Sequence, residues 1–117
     1  MTYVDGFVLP VPKDKMDAYK EVAARACQIW MDHGALSYVE CVGDDTPYGE
    51  VTSFPRSVLA KEDEVVVFSW ITYPSREVRD AVNAKVMADP RMQAEMADMP
   101  FDGKRLIWGG FNLLLQN

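Results

Sequence analysis

Four residues with side chains capable of chemistry lie in strand-like, largely apolar runs: Asp5 in "YVDGFV", Glu40 in "SYVEC", Trp70 in "VVFSWI" and Arg105 just before "LIWGGF". A charge buried without a partner is costly, so each charged group must reach solvent, pair, or line a polar cavity. In a cavity, Asp5 or Glu40 could serve as a general base, and Arg105 could bind an acidic or enol-like group. These four are the candidate ligand-binding residues.

The same residues also have a purely structural interpretation. Asp5 and Arg105 could form an ion pair at the edge of a sheet, and such pairs perturb charges without any function. Trp70 could be an ordinary core residue whose indole N–H needs a partner. In "MPFDGKR", Asp102-Gly103 is a turn signal. Lys104 and Arg105 then either flank a turn or bind an anion at the mouth of a cavity, and both interpretations stay open.

Several familiar sites are excluded or disfavoured by the remaining residues. The two cysteines, Cys27 and Cys41, have no CxxC neighbour and no His cluster for zinc. The sole histidine, His33, precedes Gly34 at the end of a predicted helix, where a cation interacts favourably with the helix dipole. This capping role is favoured over a catalytic or haem-ligating role. The chain has neither a P-loop nor GxGxxG. We therefore expect no metal and no cofactor.

The order of secondary structure follows from hydrophobic periodicity. Strands are predicted over 2–11, 35–43, 64–73 and 106–115, helices over 12–34, 76–88 and 91–99, and a long loop over 44–57 with a short strand at 51–54. Pro10 and Pro12 should end the first strand, Ser75 should cap the second helix, and Asp89-Pro90 should start the third. The resulting β-α-β-loop-β-α-β order is typical of the α+β ferredoxin-like fold, a four-stranded antiparallel sheet with two main helices on one face.

The second face of this sheet has no helix to cover it. All four strands are apolar on both sides, so an isolated chain would expose a large apolar patch, which usually marks a partner. We expect a homodimer through the sheet face, related by two-fold symmetry. Periodicity does not decide which alternation faces the helices, so the exposed face should include several of Phe7, Tyr38, Phe68, Trp70 and Phe111.

Length and charge limit the partners. The 117 residues suit a single domain over 1–117, and the net charge is −6 with scattered cations. Nucleic acid and an anionic membrane surface are therefore disfavoured. Two free thiols fit a reducing cytoplasm, and we find no signal peptide and no run of about 20 apolar residues for a membrane helix.

Several stretches together resemble a family of small bacterial proteins of unknown function. They are "YVDGFV", "GAL" with "VEC", "VVFSWI" with "YPS" and "EVRD", "DPRM", and "MPFDGKR" followed by "GGF", so they span nearly the whole chain. The family is similar to the dimeric α+β barrel superfamily, which pairs two ferredoxin-like sheets and includes cofactor-independent monooxygenases, isomerases, haem proteins and small-molecule binders. The resemblance implies the fold and a dimer, and assigns no catalytic residue.

Two functional hypotheses follow. The first is a small-molecule-binding dimer, or a cofactor-independent enzyme, whose ligand is an aromatic or acidic metabolite held near Asp5, Glu40, Trp70 and Arg105. The second is a non-enzymatic structural or interaction homodimer in which these polar residues are only satisfied. The sequence leaves open whether the protein is an enzyme.

Overall fold

The computed structural model describes residues 2–117. The strands are β1 (Tyr3–Pro12), β2 (Ser37–Val42), β3 (Glu64–Tyr73) and β4 (Ile107–Asn112), and the helices are α1 (Met16–Asp32), α2 (Phe54–Ser57), α3 (Arg76–Ala88) and α4 (Pro90–Met96). Two 3-10 turns, Lys13–Lys15 and Gly103–Arg105, precede α1 and β4.

The four strands form one antiparallel sheet in the order β2-β3-β1-β4. This is the ferredoxin-like arrangement, so the predicted α+β fold is confirmed. In the register, Asp5 of β1 lies between Ile71 of β3 and Gly110 of β4. The centre of the sheet therefore places a carboxylate beside a residue with no side chain.

Alternate residues of β1 divide the sheet into a helix-covered face and an open face. Leu9 and Val11 are buried beneath the helices together with Ile71 and Tyr73 of β3. According to the strand register, the side chains on the opposite, open face include Val4, Val8, Phe68, Trp70, Ile107 and Phe111.

Three of the five aromatic residues that were candidates for the open face lie on it. Phe68, Trp70 and Phe111 are on the open face, but Phe7 and Tyr38 pack against the core beneath the helices. The expectation of several aromatic residues on this face is thus confirmed. The sequence did not decide which of the five they would be, because both alternations of β1 and β2 are apolar.

The predicted helix ends at α3 and α4 are confirmed in detail. The Ser75 side chain accepts a hydrogen bond from the Val78 N–H, at 3.2 Å. The Asp89 side chain accepts a hydrogen bond from the Arg91 N–H at 2.9 Å, and Pro90 occupies the first position of α4. Gly34 follows α1 with a φ of 113°, a conformation that favours glycine.

β1 was predicted over 2–11 and ends at Pro12, one residue later. β4 no longer pairs with it at Pro10 and Pro12, and proline is tolerated where a strand lacks a neighbour on one side. Two other local predictions were wrong. The expected strand at 51–54 is absent, because Ser53 instead caps the short helix α2 by accepting from the Arg56 N–H. β4 ends at Asn112 rather than at residue 115, and Leu114 is 98% exposed.

The short helix α2 covers one corner of the open face. The Phe54 ring meets the Phe68 ring edge-on, with centroids 5.8 Å apart. Farther along the open face, Ile107 and Phe111 are exposed, at 45% and 61%. None of the helices in this range is both long and apolar enough to cross a membrane.

Candidate functional site

A cavity lies between the sheet and the helices, where two clusters of the core meet. Ile71 and Met92 belong to the first cluster, and Leu9 and Tyr19 belong to the second. The volume of the cavity is about 130 Å³. Its lining is mostly apolar and aromatic: Phe7, Leu9, Tyr19, Val22, Ala23, Ala26, Trp30, Tyr38, Glu40, Ser69, Ile71, Met92, Met99, Phe101 and Leu106.

The polar end of the cavity is built around the Glu40 carboxylate. The Tyr19 hydroxyl of α1 donates to Oε1 at 2.5 Å, and the Tyr38 hydroxyl donates to Oε2 at 2.7 Å. Tyr38 and Glu40 are two residues apart on β2, so their side chains share the face beneath the helices. The geometry gives one carboxylate whose two oxygens each accept from a tyrosine.

Both tyrosines are held in the protonated form. Burial, followed by the negative charge of Glu40 and the hydrogen bond to it, raises the pKa of Tyr19 and of Tyr38 well above the usual value. Each hydroxyl therefore acts as a donor to Glu40 across the whole physiological pH range.

The raised tyrosine pKa values predict a loss of stability in alkali. The folded protein retains protons that the unfolded chain releases above about pH 10, so this contribution to the free energy of unfolding is complete below pH 10 and falls above it. Urea titrations from pH 8 to pH 11 should show this decline. It should be shallower in the Tyr19→Phe/Tyr38→Phe variant, and an equal decline in both proteins would contradict the prediction.

An outer cleft approaches Glu40 from the other side. It has a volume of about 320 Å³ and shares Tyr19, Ala23 and Glu40 with the cavity. Its remaining lining residues are Met16, Asp17, Lys20, Cys41, Val42 and Val67. The hydrogen bond between Tyr19 and Glu40 thus lies between the outer cleft and the cavity, on a route by which a small molecule could reach the carboxylate.

Asp5 does not lie at this cavity but in a buried ion pair with Arg79 of α3. Asp5 is 1% exposed and the Arg79 side chain is 11% exposed. Arg79 Nε donates to both carboxylate oxygens at 3.0 Å, and Nη2 donates to Oδ1 at 2.8 Å. The partner of Asp5 is therefore Arg79, and the pairing with Arg105 considered from the sequence was wrong.

Gly110 leaves room for this ion pair. A Cβ atom at position 110 would run into the Tyr3 hydroxyl and would lie 2.6 Å from Arg79 Nη2. Tyr3 and Trp108 also flank the guanidinium, with ring centroids 5.2 and 5.6 Å from Arg79 Cζ. A glycine at this point of β4 is thus needed for the close packing of three side chains.

A matched pair of glycine substitutions tests this packing. Gly110→Ala should lower the free energy of unfolding by about 1–3 kcal/mol, because the added methyl group forces Tyr3 or Arg79 to move. Gly103→Ala should be close to neutral, since nothing lies within 4 Å of the added Cβ atom. Urea denaturation of both variants measures the difference, and equal stabilities would contradict it.

Arg105 is held by acidic groups near the start of β4. It donates to both carboxylate oxygens of Glu64, at 2.7 and 2.6 Å, to Asp102 at 2.9 Å and to the Leu59 carbonyl at 2.9 Å. Asp102 also accepts from the Lys104 N–H. These contacts tie the 3-10 turn of "MPFDGKR" to the loop before β3.

The neighbouring Phe101 connects the same stretch to the cavity. Its ring meets the Tyr19 ring edge-on, with centroids 5.7 Å apart, and both rings line the cavity. This stretch therefore contributes the Phe101 ring to the cavity wall, whereas the Arg105 side chain binds Glu64 and Asp102.

Trp70 lies on the open face, away from Glu40. Its ring is 5.7 Å from that of Phe68. Nearby, the Phe111 ring lies over Gly6 and Gly109, at 3.6 and 3.5 Å from the Cβ positions of these two glycines. The Phe111 ring therefore packs against the two glycines on the open face.

Of the four candidates from the sequence, only Glu40 lines the cavity. Its partners Tyr19 and Tyr38 were not recognised as site residues, although the two-residue spacing of Tyr38 and Glu40 was a usable signal. Arg79 was also missed, although it precedes Val82 by three residues and so lies on the buried side of α3.

The side chain of His33, at the end of α1, contacts Asp89, with Nε2 2.8 Å from Oδ2. Within residues 2–117, no group of three or more His, Cys, Asp or Glu side chains is placed to hold a metal ion.

Comparison with solved structures shows the fold. The chain is similar to Rv0793 from Mycobacterium tuberculosis, with a TM-score of 0.62 and 14% identity over 99% of this chain and 98% of that one. It is also similar to a "Putative antibiotic biosynthesis monooxygenase" from Nitrosomonas europaea, with a TM-score of 0.61 and 13% identity over 97% and 90% of the two chains. At such identities the likeness shows the fold alone, which is that of the dimeric α+β barrel proteins.

Comparison of sequences is more specific. The chain is 57% identical to the uncharacterized protein YbaA of Escherichia coli strain K12 over 115 residues, which is 98% of each chain. The YbaA protein of Shigella flexneri matches to the same extent. The family model described as "Protein of unknown function (DUF1428)" matches residues 2–103. The chain therefore belongs to the DUF1428 family.

Proposed function

We propose that this protein binds a small, largely apolar molecule in the cavity between the sheet and the helices, and does so as a homodimer. The observation that carries the proposal is the Glu40 carboxylate, held by two tyrosine hydroxyls at the end of an apolar cavity of about 130 Å³. Ligand sites in proteins typically combine an apolar lining with a few convergent polar groups.

The homodimer is supported by the open face of the sheet. An apolar groove of about 820 Å³ runs over Val4, Val8, Phe68, Trp70 and Phe111 and along Leu113, Leu114 and Leu115. Large exposed apolar surfaces usually mark an interaction site. A second copy of the chain offers the same surface under two-fold symmetry, so two open faces would cover one another.

Benzene is the simplest probe of the cavity. An apolar cavity of about 150 Å³ is sufficient to bind benzene in another protein. We expect saturable benzene-dependent shifts of the amide resonances of cavity residues such as Ala26, Ser69 and Ile71. The amides of Val4 and Val8 on the open face should shift less.

Replacement of either of two alanines on α1 by leucine provides a test and its matched control. Ala26 is buried and lines the cavity, whereas Ala24 is exposed on the same helix. Ala26→Leu should fill the cavity and abolish the shifts, and Ala24→Leu should leave them unchanged. Failure of benzene to shift cavity resonances in the unsubstituted protein would overturn the binding proposal.

A structural or interaction homodimer is the second candidate function. It is favoured by the ion pairs of Asp5 and Arg105, since both charges are fully engaged by partners within the chain. This candidate requires a dimer without a ligand in the cavity. A dimer that binds no benzene would therefore favour it.

For either function we propose the reducing cytoplasm as the location, supported by the two free thiols, Cys27 and Cys41.

A further inference from the structure

We propose that the ligand class of the cavity is a single-ring phenol whose hydroxyl group donates a hydrogen bond to Glu40. This inference rests on the proposed small-molecule function and adds the chemistry of the ligand. It follows from the size of the cavity, from the hydrogen bonds already made at its polar end and from the charge of its lining.

The size and lining of the cavity favour one aromatic ring. Its volume of about 130 Å³ is close to that of a cavity that accepts benzene. Phe7, Tyr38 and Phe101 supply aromatic walls, against which a ring packs edge-on or offset. Trp30 is fixed as a further wall, because its indole N–H donates to Asn83 at 3.2 Å. A fused multi-ring molecule would not fit without rearrangement of the helices.

At the polar end of the cavity, Glu40 and its two tyrosines present acceptors, and the Ser69 hydroxyl opposite Glu40 can donate or accept. A carboxylate has about four lone-pair sites, of which Tyr19 and Tyr38 occupy two. Because both tyrosine protons are directed at Glu40, the hydroxyl oxygens also present lone pairs to the cavity. A ligand that complements Glu40 and its two tyrosines must therefore donate a hydrogen bond, as a phenol does.

The charge of the lining excludes acidic ligands. Among the cavity residues Glu40 carries a negative charge, and no lysine, arginine or histidine lines the same space. A second carboxylate in this apolar environment would meet repulsion that water screens poorly. The cavity should thus discriminate against benzoate, which has the same ring as phenol but carries a negative charge.

Three probes of similar size separate these features. We would titrate the protein with phenol, toluene and benzoate and follow the amide resonances of cavity residues. Phenol and toluene differ by a hydroxyl in place of a methyl group, and a hydrogen bond to a charged acceptor should favour phenol by about 10- to 100-fold. Benzoate should bind at least about 10-fold more weakly than phenol.

Two variants assign the effect to Glu40. Glu40→Gln retains the shape of the side chain and removes its charge, so phenol should bind about 10-fold more weakly while toluene binds as before. Glu21→Gln makes the same change at an exposed position of α1 outside the cavity and should leave the preference for phenol unchanged. A preference for phenol that is retained in Glu40→Gln, or lost equally in Glu21→Gln, would overturn the assignment.

The outcomes distinguish this inference from the function on which it rests. If neither toluene nor phenol binds, the proposed small-molecule function itself fails. If toluene binds as tightly as phenol, the cavity binds small molecules but the inference of a phenol is wrong. If benzoate binds more tightly than phenol, the site is one for anions and the inference is also wrong.

Discussion

Replacement of Asp5 by alanine is expected to lower the free energy of unfolding by about 3–5 kcal/mol, because it leaves the Arg79 guanidinium buried without its main partner. The pair is closed by three hydrogen bonds between a strand at the centre of the sheet and helix α3. Without Asp5, Arg79 keeps an ion pair with the exposed carboxylate of Asp80, at 2.9 Å, and its contacts with the Tyr3 and Trp108 rings. Urea denaturation measures this change, and we expect the m value to be the same in both proteins.

Two controls identify the cause of this loss. Arg76 forms an exposed pair with Asp80 at 3.8 Å, so Arg76→Ala should cost less than about 1 kcal/mol. The double variant Asp5→Leu/Arg79→Met replaces both charges by apolar groups and should recover much of the stability lost in Asp5→Ala. A loss below about 1 kcal/mol in Asp5→Ala would show that the pair is not as buried as its geometry indicates.

The substitution Phe68→Glu is expected to raise the dissociation constant of the proposed homodimer by at least about 100-fold. Phe68 lies on the open face that two copies would bury against one another, and a carboxylate without a partner there is costly to desolvate. Two-fold symmetry would also bring two such charges into one interface. Sedimentation equilibrium over a concentration series measures the change.

Met87→Glu is the matched control for this substitution. Met87 lies on helix α3, away from the open face, and is 46% exposed, compared with 41% for Phe68. The same change from an apolar to an acidic side chain at Met87 should leave the dimer intact. A monomeric unsubstituted protein, or equal dissociation constants for the two variants, would contradict the proposed interface.

Local signals in the sequence predicted the elements of this fold well. β3 and α3 have the expected bounds because "EVVVFSWITY" is β-branched and aromatic throughout, and because Ser75 is a strong cap. The face assignment of β1 and β2 could not be predicted in the same way. Both alternations are apolar, so only the packing of α1 and α3 decides which one is covered.

The candidate site was less predictable because its contacts are long-range. Asp5 and Arg79 are separated by 74 positions, and Tyr19 and Glu40 by 21. A sequence pattern shows that a charge in a strand needs a partner, but the partner is chosen by the tertiary fold. Arg105 illustrates this, since its binding to Glu64 depends on a loop that brings the start of β3 beside the turn before β4.

The fold itself does not decide the function. Two solved structures that share it are only 14% and 13% identical to this chain. The same architecture can thus be specified by very different sequences, and a function must be argued from the side chains that a particular sequence adds. Here those side chains are Glu40 and its two tyrosines.

The most direct test of the proposed site is to locate a bound phenol by intermolecular nuclear Overhauser effects to methyl-labelled protein. Methyl groups on the two faces of the sheet distinguish the cavity from the open face. The expected result is contacts from the phenol ring to Ile71, Met92 and Met99, which line the cavity. Contacts only to Val4, Val8 and Ile107 would place the ligand on the open face and would contradict the site at Glu40.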